Sequence, residues 1–583
     1  MNKTMNTQKP RTMPSRRSFL KKGAVLTTAA WLPSFRVYAN TSLSSCEKPA
    51  NFPANLTLFQ QAFRNWSEEI VVDAVWTCSP KTEQDIVTLV NWAHKQGYKV
   101  RPRGHMHNWS PLTIDGQINC THKVILVDTT SHLTEVQIDT SQTPARVIAQ
   151  TGVSMQDLMT KMETRNLGFV ATPAPGDLTL GGVLAIDGHG TAIPADGQGM
   201  TSGQTYGSVS NTVLSLTAVV WDQTSQQYAL KEFKRDNEEC AAFLTHLGRA
   251  FITKATLQAG KNQRLHCQSY THLSSDELFA KPGSAGRTIE SFLKKSGRME
   301  AIWFPFTKEP WLKVWTVEPT QPISSRLTLT PFNYPFTDNV PLAVSQLLAN
   351  INNSAPTLTP QFGQAQLTAV KLGLATTLSN ELWGWSKNTL LYIKPSTLRV
   401  TANGYAILTR RNNVQSVIHR FTQYYQSKVK EYQAQGLYPM NSAVEIRVTG
   451  LDQSSEVTMP NAVAPLLSAI SPIPSKPDFN VAVWLDILSV PNAKGANRFY
   501  REVEAWVFNE FSGTDALARV EWSKGWAYSD NGAWNNDAII KTQVPNSINF
   551  GQSSNKWRQA FDVFKKYDPN RIYSSPLIDR LGL

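Results

Sequence analysis

Charged side chains are scarce in this chain, and acidic ones are missing altogether from its first 39 residues. Asp, Glu, Lys and Arg make up 17% of the 583 residues, against about 25% in a typical globular protein. Eight cations lie within residues 1–39, so the formal net charge of +13 falls to +5 for the rest of the chain. Those remaining cations form no basic block. Because nucleic-acid binding requires a clustered basic surface, the composition argues against that class of partner.

Cysteines and long apolar runs are also scarce. The cysteines are odd in number, show no metal-ligand spacing and do not form a disulfide scaffold; they are Cys46, Cys78, Cys120, Cys240 and Cys267. We therefore predict no metal site, and one disulfide after export stays open. No apolar run reaches the roughly 18 residues that a membrane span requires. No G-x-G-x-x-G follows a strand-like run, which argues against an ordinary Rossmann dinucleotide site.

The first 44 residues have the features of an export signal. Arg16 and Arg17 are followed by Phe19 and Leu20, then by a short apolar stretch at 23–32 and a small-residue pattern near Ala39. This order is typical of a twin-arginine signal peptide, which exports proteins that have already folded. We expect cleavage at about residues 39–44. The twin-arginine export machinery would then deliver a secreted or periplasmic protein.

Strand and helix signals alternate from residue 70 onward. Residues 70–77 are rich in β-branched side chains and predict a strand. Thr82 followed by Asp85 is typical of a helix capping box, and apolar residues at helical spacing continue from there to Gly97. The same criteria predict a helix at 155–165 and further strands at 98–103, 124–127, 145–150, 213–221, 227–230 and 250–258. A chain of this length is expected to form more than one domain.

The segment 101–111, RPRGHMHNWSP, places a glycine, two histidines and an asparagine in one turn. Glycine adds no Cβ and tolerates φ > 0, so the backbone can approach a pyrophosphate there, and successive N–H groups of such a turn form an anion-binding nest. The histidines add nucleophilic rings to which a cofactor can be tethered. The candidate cofactor contacts in this turn are Arg103, Gly104, His105, Met106, His107 and Asn108.

Several short motifs, in order, resemble the flavin domain of the vanillyl-alcohol oxidase superfamily. They are P-x-x-x-x-D-I-x-x-L-V from Pro80, R-x-x-G-x-x-H from Arg101, L-x-L-G-G from Leu178, H-G-T from His189, and LGRAFITKATL at 247–257. Within that superfamily MHNWSPLT, EIRVTGLD at 445–452 and VEWSKGWAY at 520–528 look like the bacterial class II cholesterol oxidases. The resemblance spans nearly all of the mature chain.

The resemblance implies an α+β fold, with a two-subdomain FAD-binding domain of the vanillyl-alcohol oxidase type and a separate α+β substrate-binding domain. We place the FAD-binding domain at 45–265, the sterol substrate-binding domain at 266–510, and a C-terminal segment that returns to the FAD domain at 511–583. The glycine-rich segment 176–191 is expected to meet the pyrophosphate and the flavin edge. Its candidate contacts, with one from the closing strand, are Gly176, Asp177, Thr179, Gly181, Gly182, His189, Gly190 and Ile252.

The resemblance also implies covalently attached FAD, and two histidines compete for the link. The spacing R-x-x-G-x-x-H, as in aldonolactone and alditol oxidases, selects His107. The spacing R-x-x-G-H, as in the berberine-bridge branch, selects His105. The Trp109-Ser110-Pro111 run that follows favours His107. The structural alternative is that the ring of His107 only forms hydrogen bonds within a tight loop.

Three patterns supply candidate catalytic residues. Glu445 and Arg447 are two residues apart in a strand-like run, so both side chains face one side, about 6.5–7 Å apart along the strand. The resemblance to the family implies that they lie over the flavin. Glu300 lies beside a strongly apolar run, where burial would raise its pKa and suit it to proton transfer. Glu521 and Lys524 lie in EWSK, where the lysine could stabilise an anionic reduced flavin. The alternatives are a surface ion pair, a solvent-facing glutamate and a surface lysine.

The function that the resemblance implies is oxidation of 3β-hydroxysterols, cholesterol in the first place. The alcohol and O2 would give the 3-ketosteroid and H2O2, and the 5-ene would isomerise to the 4-ene-3-one. Glu445 is the candidate base, Arg447 would orient it, and Glu300 or Glu445 would move the isomerisation proton. Transient contact with lipid membranes is expected. A sugar or aldonolactone oxidase on the same fold and a non-catalytic lipid-binding flavoprotein stay open as alternatives.

Overall fold

Strands and helices alternate along the residues that the computed structural model describes, which are 46–334, 348, 354–392 and 399–583. The predicted signal peptide lies outside these residues. One compact folded unit runs from Lys48 to Leu583. Its strands are β1 (Thr57–Arg64), β2 (Val71–Ser79), β3 (Lys99–Arg103), β4 (Val124–Asp128), β5 (Val136–Asp139), β6 (Ala145–Gln150), β7 (Leu167–Gly168), β8 (Val213–Asp222), β9 (Gln227–Lys234), β10 (Phe251–Lys261), β11 (Arg264–Tyr270), β12 (Met299–Trp303), β13 (Trp311–Val317), β14 (Arg326–Thr328), β15 (Glu381–Trp385), β16 (Thr401–Thr409), β17 (Val444–Gly450), β18 (Val481–Ser489) and β19 (Ala516–Val520). Its α-helices are α1 (Glu83–Gln96), α2 (Met155–Glu163), α3 (Leu180–Ala185), α4 (Cys240–Phe243), α5 (Ser275–Leu278), α6 (Ile289–Ser296), α7 (Thr359–Thr376), α8 (Ser386–Leu390), α9 (Val414–Ala434), α10 (Ala496–Glu510), α11 (Val544–Asn549), α12 (Lys556–Tyr567) and α13 (Pro576–Leu581).

The first sheet is four-stranded, in the order β1-β2-β4-β3, and α1 connects β2 to β3 along the chain. The predicted capping box is confirmed: the Thr82 side chain accepts a hydrogen bond from the Asp85 amide, and the Asp85 carboxylate accepts one from the Thr82 amide. Gly97 ends the helix with φ 71°, a left-handed conformation that glycine adopts without steric cost. Helix α1 buries one apolar face, so its sequence pattern sufficed to predict it. Strand β1, whose side chains are mostly half-buried, was not predicted.

The second sheet is antiparallel and six-stranded, in the order β5-β6-β10-β8-β9, with β7 paired to β10. Strands β8 and β9 form the hairpin that the sequence predicted. Helices α2 and α3 pack on this sheet through apolar residues such as Leu158, Met162, Leu180 and Leu184. The first two sheets are therefore the two subdomains expected for an FAD-binding domain.

The third sheet is nine-stranded, in the order β14-β15-β11-β13-β12-β17-β18-β16-β19. The chain passes into it between Lys261, which ends β10, and Arg264, which begins β11. Strand β19 occupies the far edge, so residues 516–520 belong to this sheet. Farther on, the chain returns to the first two sheets: the Val100 amide donates to the Ile572 carbonyl (2.9 Å) and the Tyr228 hydroxyl donates to Asp568 (2.6 Å). The architecture confirms the predicted α+β fold, with the third sheet formed separately from the first two.

The cysteines play no part in a metal site within the described residues, where no group of three or more His, Cys, Asp or Glu side chains is arranged to hold an ion. Cys78, Cys240 and Cys267 are buried free thiols, whereas Cys46 and Cys120 are disulfide-bonded. Across the same part of the chain, no helix combines the length and apolar character that crossing a bilayer requires.

Candidate active site

A cavity of about 560 Å³ lies where the two glycine-rich segments meet one face of the nine-stranded sheet. Most of the site residues predicted from the sequence line it. They are Arg103, Gly104, His105, Met106, His107, Asn108, Thr179, Gly181, Gly182, His189, Ile252, Glu445, Arg447, Glu521 and Lys524. The lining does not include the other predicted site residues, Gly176, Asp177, Gly190 and Glu300.

The first turn begins directly where β3 ends, and its backbone is fixed from the C-terminal region. Met106 has φ 60°, a left-handed conformation that a non-glycine residue adopts at some cost. The amides of Trp109 and Ser110 both donate to the Ser523 carbonyl, at 3.1 and 3.2 Å. The Lys524 ammonium lies 4.0 Å from the centroid of the Trp109 ring. The histidine turn and the EWSK segment therefore form one wall, although they are more than 400 residues apart in sequence.

The ring of His107 is held on two sides. It stacks on Trp66 with a centroid separation of 3.6 Å and an interplanar angle of 14°, and the Arg399 guanidinium lies 3.9 Å from the Trp66 ring. Its Nδ1 lies 3.8 Å from Asp177 Oδ1, and neither of these buried atoms has a hydrogen-bond partner. Burial lowers the pKa of His107, and the nearby Asp177 only partly offsets this effect. The side chain of His105, by contrast, belongs to an exposed residue.

The second glycine-rich segment contains a short helix rather than an extended loop. Thr179 caps α3 by accepting a hydrogen bond from the Gly182 amide (3.3 Å). A Cβ on Gly104 would lie 2.4 Å from Thr179 Oγ1, and one on Gly190 would lie 2.6 Å from the Thr172 amide nitrogen. Real Cβ atoms do not approach so closely, so glycine at these positions lets the backbone segments pack together. His189, just beyond the helix, stacks on Trp484 at 3.5 Å.

Four strands of the nine-stranded sheet present a row of charges on one face. Glu300 on β12 lies directly opposite Lys313 on β13 and Arg447 on β17. Arg447 contacts Glu445 at 3.3 Å, Glu300 at 3.4 Å and, more closely, Asp486 on β18. The predicted placement of Glu445 and Arg447 on one face, and their pairing, are therefore present in the structure.

The Glu300 carboxylate is more tightly held than the sequence suggested. It accepts hydrogen bonds from Lys313 Nζ (3.2 Å) and the Tyr392 hydroxyl (2.9 Å), and its side chain is 3% exposed. Burial was expected to raise the pKa of Glu300. Burial does oppose ionisation, but the adjacent Lys313 and Arg447 charges lower the pKa below its ordinary value. That expectation was wrong because the strands that supply both cations lie beside Glu300 only in the folded sheet.

The pKa values of the other carboxyl groups shift in different directions. Burial raises the pKa of Glu445, with Arg447 acting against the rise and Glu300 adding to it. Burial and the neighbouring Glu521 raise the pKa of Asp486 well above its usual range. For Glu521 burial acts in the same direction, but Lys524 and His189 outweigh it and lower the pKa. The pKa values of Glu300 and Glu521 are therefore lowered and those of Glu445 and Asp486 raised, and carboxyl groups with pKa values pushed apart are typical of acid–base sites.

The sequence did not reveal Asp486, Lys313, Tyr392 or Trp66 as parts of this site. Asp486 is the single charged residue in a fully buried strand, VAVWLDILS, whose other residues are apolar except Ser489. A buried lone acid must be paired, so that pattern was a usable signal. The other three residues join the site through strand register and loop packing, for which the sequence gives no local sign.

The residues present fit a flavin dinucleotide. Several buried polar atoms around the cavity lack hydrogen-bond partners within the described chain: Arg103 Nη1, His107 Nδ1, Arg447 Nε and Glu521 Oε2. Buried polar groups are normally satisfied, so these atoms point to a polar ligand. The glycines that line the cavity, Gly104, Gly181 and Gly182, leave backbone accessible beside it. Both donors and acceptors are available, as the phosphates and the ring edges of FAD require.

Comparison with known proteins agrees with this geometry. Residues 76–226 match the family model described as "FAD binding domain", and residues 264–582 match the one described as "Cholesterol oxidase, substrate-binding". Fold and site together define an FAD-dependent alcohol oxidase with a separate substrate-binding domain. Since the second match alone covers more than half of the chain, the chain belongs to the cholesterol oxidase family, which confirms the family expected from the sequence motifs.

Solved structures of similar proteins cover nearly the whole chain. A solvent-stable cholesterol oxidase is 54% identical, with a TM-score of 0.90 over 92% of this chain and 100% of that one. Two structures of cholesterol oxidase from Brevibacterium sterolicum are 44% identical, with a TM-score of 0.89 over 92% of this chain and 100% or 99% of those chains. L-Gulonolactone oxidase from Mus musculus is 23% identical over 42% of this chain. The chain matches about half the length of that curated relative, 49%.

Proposed function

We propose that the protein oxidises 3β-hydroxysterols, cholesterol first among them, to 3-ketosteroids while O2 is reduced to H2O2. The observation that carries this proposal is a cavity with a charged end and apolar walls. Glu445 and Arg447 lie at the polar end, and the apolar lining beyond them includes Ile302, Phe304, Trp311, Phe362 and Ala369. A large, rigid, apolar alcohol with one hydroxyl group suits such a cavity, whereas a sugar would leave most of its hydroxyls without partners.

The proposed chemistry divides between the cofactor and the protein. When bound, FAD supplies a hydride acceptor that is reoxidised by O2. Glu445 accepts the proton of the sterol hydroxyl, and Arg447 holds the carboxylate in place and favours negative charge on the sterol oxygen. The alcohol loses a hydride and a proton to become the ketone, and O2 gains two electrons and two protons to become H2O2. Lys524, placed beside the histidine turn, favours negative charge on the reduced cofactor.

For the isomerisation, the structure favours Glu445 over Glu300 as the proton carrier. Converting the 5-ene-3-one to the 4-ene-3-one requires a group that takes a proton from C4 and returns it at C6. The Glu445 side chain is 20% exposed and lines the cavity, whereas Glu300 is 3% exposed and held by Lys313 and Tyr392. Glu300 then acts through Arg447, as a positioning residue.

We further propose that FAD is attached through His107. The support is that stacking on Trp66 fixes the His107 ring, while its Nδ1 lacks a partner; His105 has no such clamp within the described contacts. Acid-precipitated wild-type protein should keep its yellow colour, and His107→Ala should release FAD into the supernatant. The matched variant His105→Ala should keep the flavin in the pellet. Release by His105→Ala alone would assign the link to the other ring.

Export by the twin-arginine route, and a secreted or periplasmic location, stay part of the proposal on the strength of the N-terminal sequence. Contact with lipid membranes has support from the surface. Six of the nine large apolar side chains exposed in the described part of the chain lie between 323 and 378, and we call them the apolar rim: Ile323, Leu327, Leu329, Leu358, Leu372 and Leu378. Helix α7, which carries Leu372, lines the cavity with Phe362, Ala365 and Ala369. A helix that carries one rim residue therefore also lines the cavity, which supports sterol entry from a membrane on this side.

Anaerobic reduction of the flavin by a panel of alcohols tests the proposed substrate class directly. Cholesterol should bleach the flavin absorption band, while xylitol and L-gulonolactone should leave it unchanged at matched concentration. Admission of O2 should restore the band and release one H2O2 per flavin. If only xylitol or L-gulonolactone bleached the flavin band, the protein would be assigned to the sugar and aldonolactone oxidases instead. An unbleached band with every alcohol would support a non-catalytic flavoprotein.

A further inference from the structure

His246 occupies a position on the cavity wall that neither the motifs nor the proposed mechanism uses. It lies between α4 and β10, is 3% exposed, and lines the same cavity as the histidine turn and the second glycine-rich segment. Leu247, Gly248, Ala250 and Ile252 continue this part of the lining. The charged row of the nine-stranded sheet is built from other strands, so His246 is a separate feature of the cavity.

The hydrogen bonds of the ring fix its tautomer. The Gly248 amide donates to His246 Nδ1 at 3.2 Å, so Nδ1 is an acceptor and carries no proton. A neutral imidazole with an unprotonated Nδ1 carries its proton on Nε2. His246 Nε2 is buried and has no hydrogen-bond partner in the described structure. An N–H donor therefore lacks an acceptor at a residue that lines the cavity.

The ring is also held neutral and in place. Burial and the neighbouring Arg101 lower the pKa of His246 to about 3, so the imidazole is uncharged at any pH at which the protein works. Arg101 Nη1 donates to the Gly248 carbonyl at 2.7 Å, and Nε donates to the Thr113 carbonyl at 3.0 Å. These bonds tie the end of the histidine turn to the segment that carries His246. A ring fixed in this way cannot easily turn to find another acceptor.

We propose that His246 is a cofactor-binding residue that donates a hydrogen bond from Nε2 to an acceptor atom of the bound flavin dinucleotide. The inference rests on the assignment of this cavity to FAD. It adds a neutral donor from the segment before β10, whereas the predicted contacts in this region included only Ile252, within β10 itself. Buried donors are rarely left without partners in folded proteins, and a dinucleotide rich in oxygen and nitrogen acceptors meets that need.

Two substitutions distinguish donation from Nε2 to FAD from the structural hydrogen bond at Nδ1, because each places a polar atom near only one of the two ring nitrogens. His246→Gln can place its amide NH2 near the Nε2 position, whereas His246→Asn can place its oxygen near the Nδ1 position and keep the Gly248 hydrogen bond. Both substitutions are introduced into the histidine variant that releases FAD, which we expect to be His107→Ala. FAD then binds reversibly, and its dissociation constant can be measured by fluorescence titration. Thermal unfolding of the apo forms reports on folding alone.

The Asn variant should raise the dissociation constant for FAD about tenfold, because the donor is lost. The Gln variant should stay within about threefold of the parent, because a donor remains. The reverse order, or unchanged binding in both variants, would overturn the proposal. If the Asn variant does not fold, NMR of the parent with 15N-labelled histidine gives the answer: the His246 Nε2 proton should shift downfield when FAD binds, and an unchanged signal would count against the bond. Sterol turnover enters neither measurement, so failure here leaves the proposed function standing.

Discussion

Arg447 organises the polar end of the cavity because its guanidinium meets three carboxylates. Two of them, Glu300 and Asp486, are 3% and 0% exposed, and only Glu445 is open to the cavity at 20%. A charge pair buried in this way contributes little net stability, but removing one partner leaves the others unpaired at high cost. The arrangement is therefore best explained by chemistry: two shielded carboxylates fix Arg447, and Arg447 fixes the third.

Replacing the accessible carboxylate should slow the chemical step. Glu445→Gln keeps the size of the side chain but cannot accept the hydroxyl proton, so flavin reduction by cholesterol should slow by about 10²–10⁴-fold. Stopped-flow absorbance under anaerobic conditions measures this rate. Glu290→Gln is the matched control, because Glu290 pairs with Lys294 on the surface and should leave the rate unchanged. An unaltered rate in Glu445→Gln would remove this residue from the base role.

The pH dependence of the reaction should carry the signature of the same group. Burial raises the pKa of Glu445 above the ordinary value of 4.5. A base works only when deprotonated, so kcat/KM should fall as the pH decreases through this raised pKa, with an acid limb centred above pH 4.5. The limb should be missing from the residual activity of Glu445→Gln. A limb at the same pH in that variant would assign the titration to another group.

At the scale of single residues, the sequence predicted what depends on local spacing and missed what depends on register. Glu445 and Arg447 share a face because side chains alternate along a strand. The direction of the Glu300 pKa could not be predicted, since Lys313 and Arg447 reach it from neighbouring strands. Asp486 was overlooked for the same reason: its partner Arg447 is 39 residues away in sequence.

Among the secondary-structure elements around the cofactor cavity, the sequence again predicted those that depend on local signals and missed those that depend on tertiary packing. Helix α1 was predicted with its cap because a capping box is a local device that a Thr and an Asp three residues apart suffice to form. Helix α3 was missed because Gly181 and Gly182 have low helix propensity. Its formation depends on the Thr179 cap and on packing against the second sheet, including contacts of Leu180 and Leu184.

The packing of the two glycine-rich segments makes a prediction at this scale. Gly104→Ala should separate the histidine turn from α3, because the new Cβ would lie 2.4 Å from Thr179 Oγ1. We expect a lower ratio of bound flavin to protein, measured as absorbance at the flavin band against the protein band. Gly116→Ala, where nothing lies within 4 Å of the added Cβ, is the control and should load normally. Normal loading of Gly104→Ala would show that this contact does not shape the site.

Across the whole molecule, charge is distributed unevenly. Between residues 319 and 380 the sequence contains only three charged residues, Arg326, Asp338 and Lys371. This scarcity is visible in the sequence, but its meaning is not, because an uncharged segment can equally be a buried core. The fold shows that the apolar rim within this segment is exposed rather than buried, and that α7, which carries Leu372, also lines the cavity. A patch of this kind beside an apolar cavity marks an interaction surface.

If the apolar rim rests on a lipid surface, polar substitutions there should affect membrane sterol and dispersed sterol differently. A combined Ile323→Gln, Leu372→Gln and Leu378→Gln variant should lose vesicle binding and oxidise cholesterol in phospholipid vesicles at least about tenfold more slowly, because each exposed side chain forfeits part of its burial free energy. Cholesterol delivered by cyclodextrin should be oxidised at the wild-type rate, since the site itself is intact. Val71→Gln with Leu230→Gln, which changes exposed apolar residues outside the rim, is the control for surface polarity. If the oxidation rate fell equally for vesicle cholesterol and cyclodextrin cholesterol, the apolar rim would contribute to the cavity rather than to membrane binding.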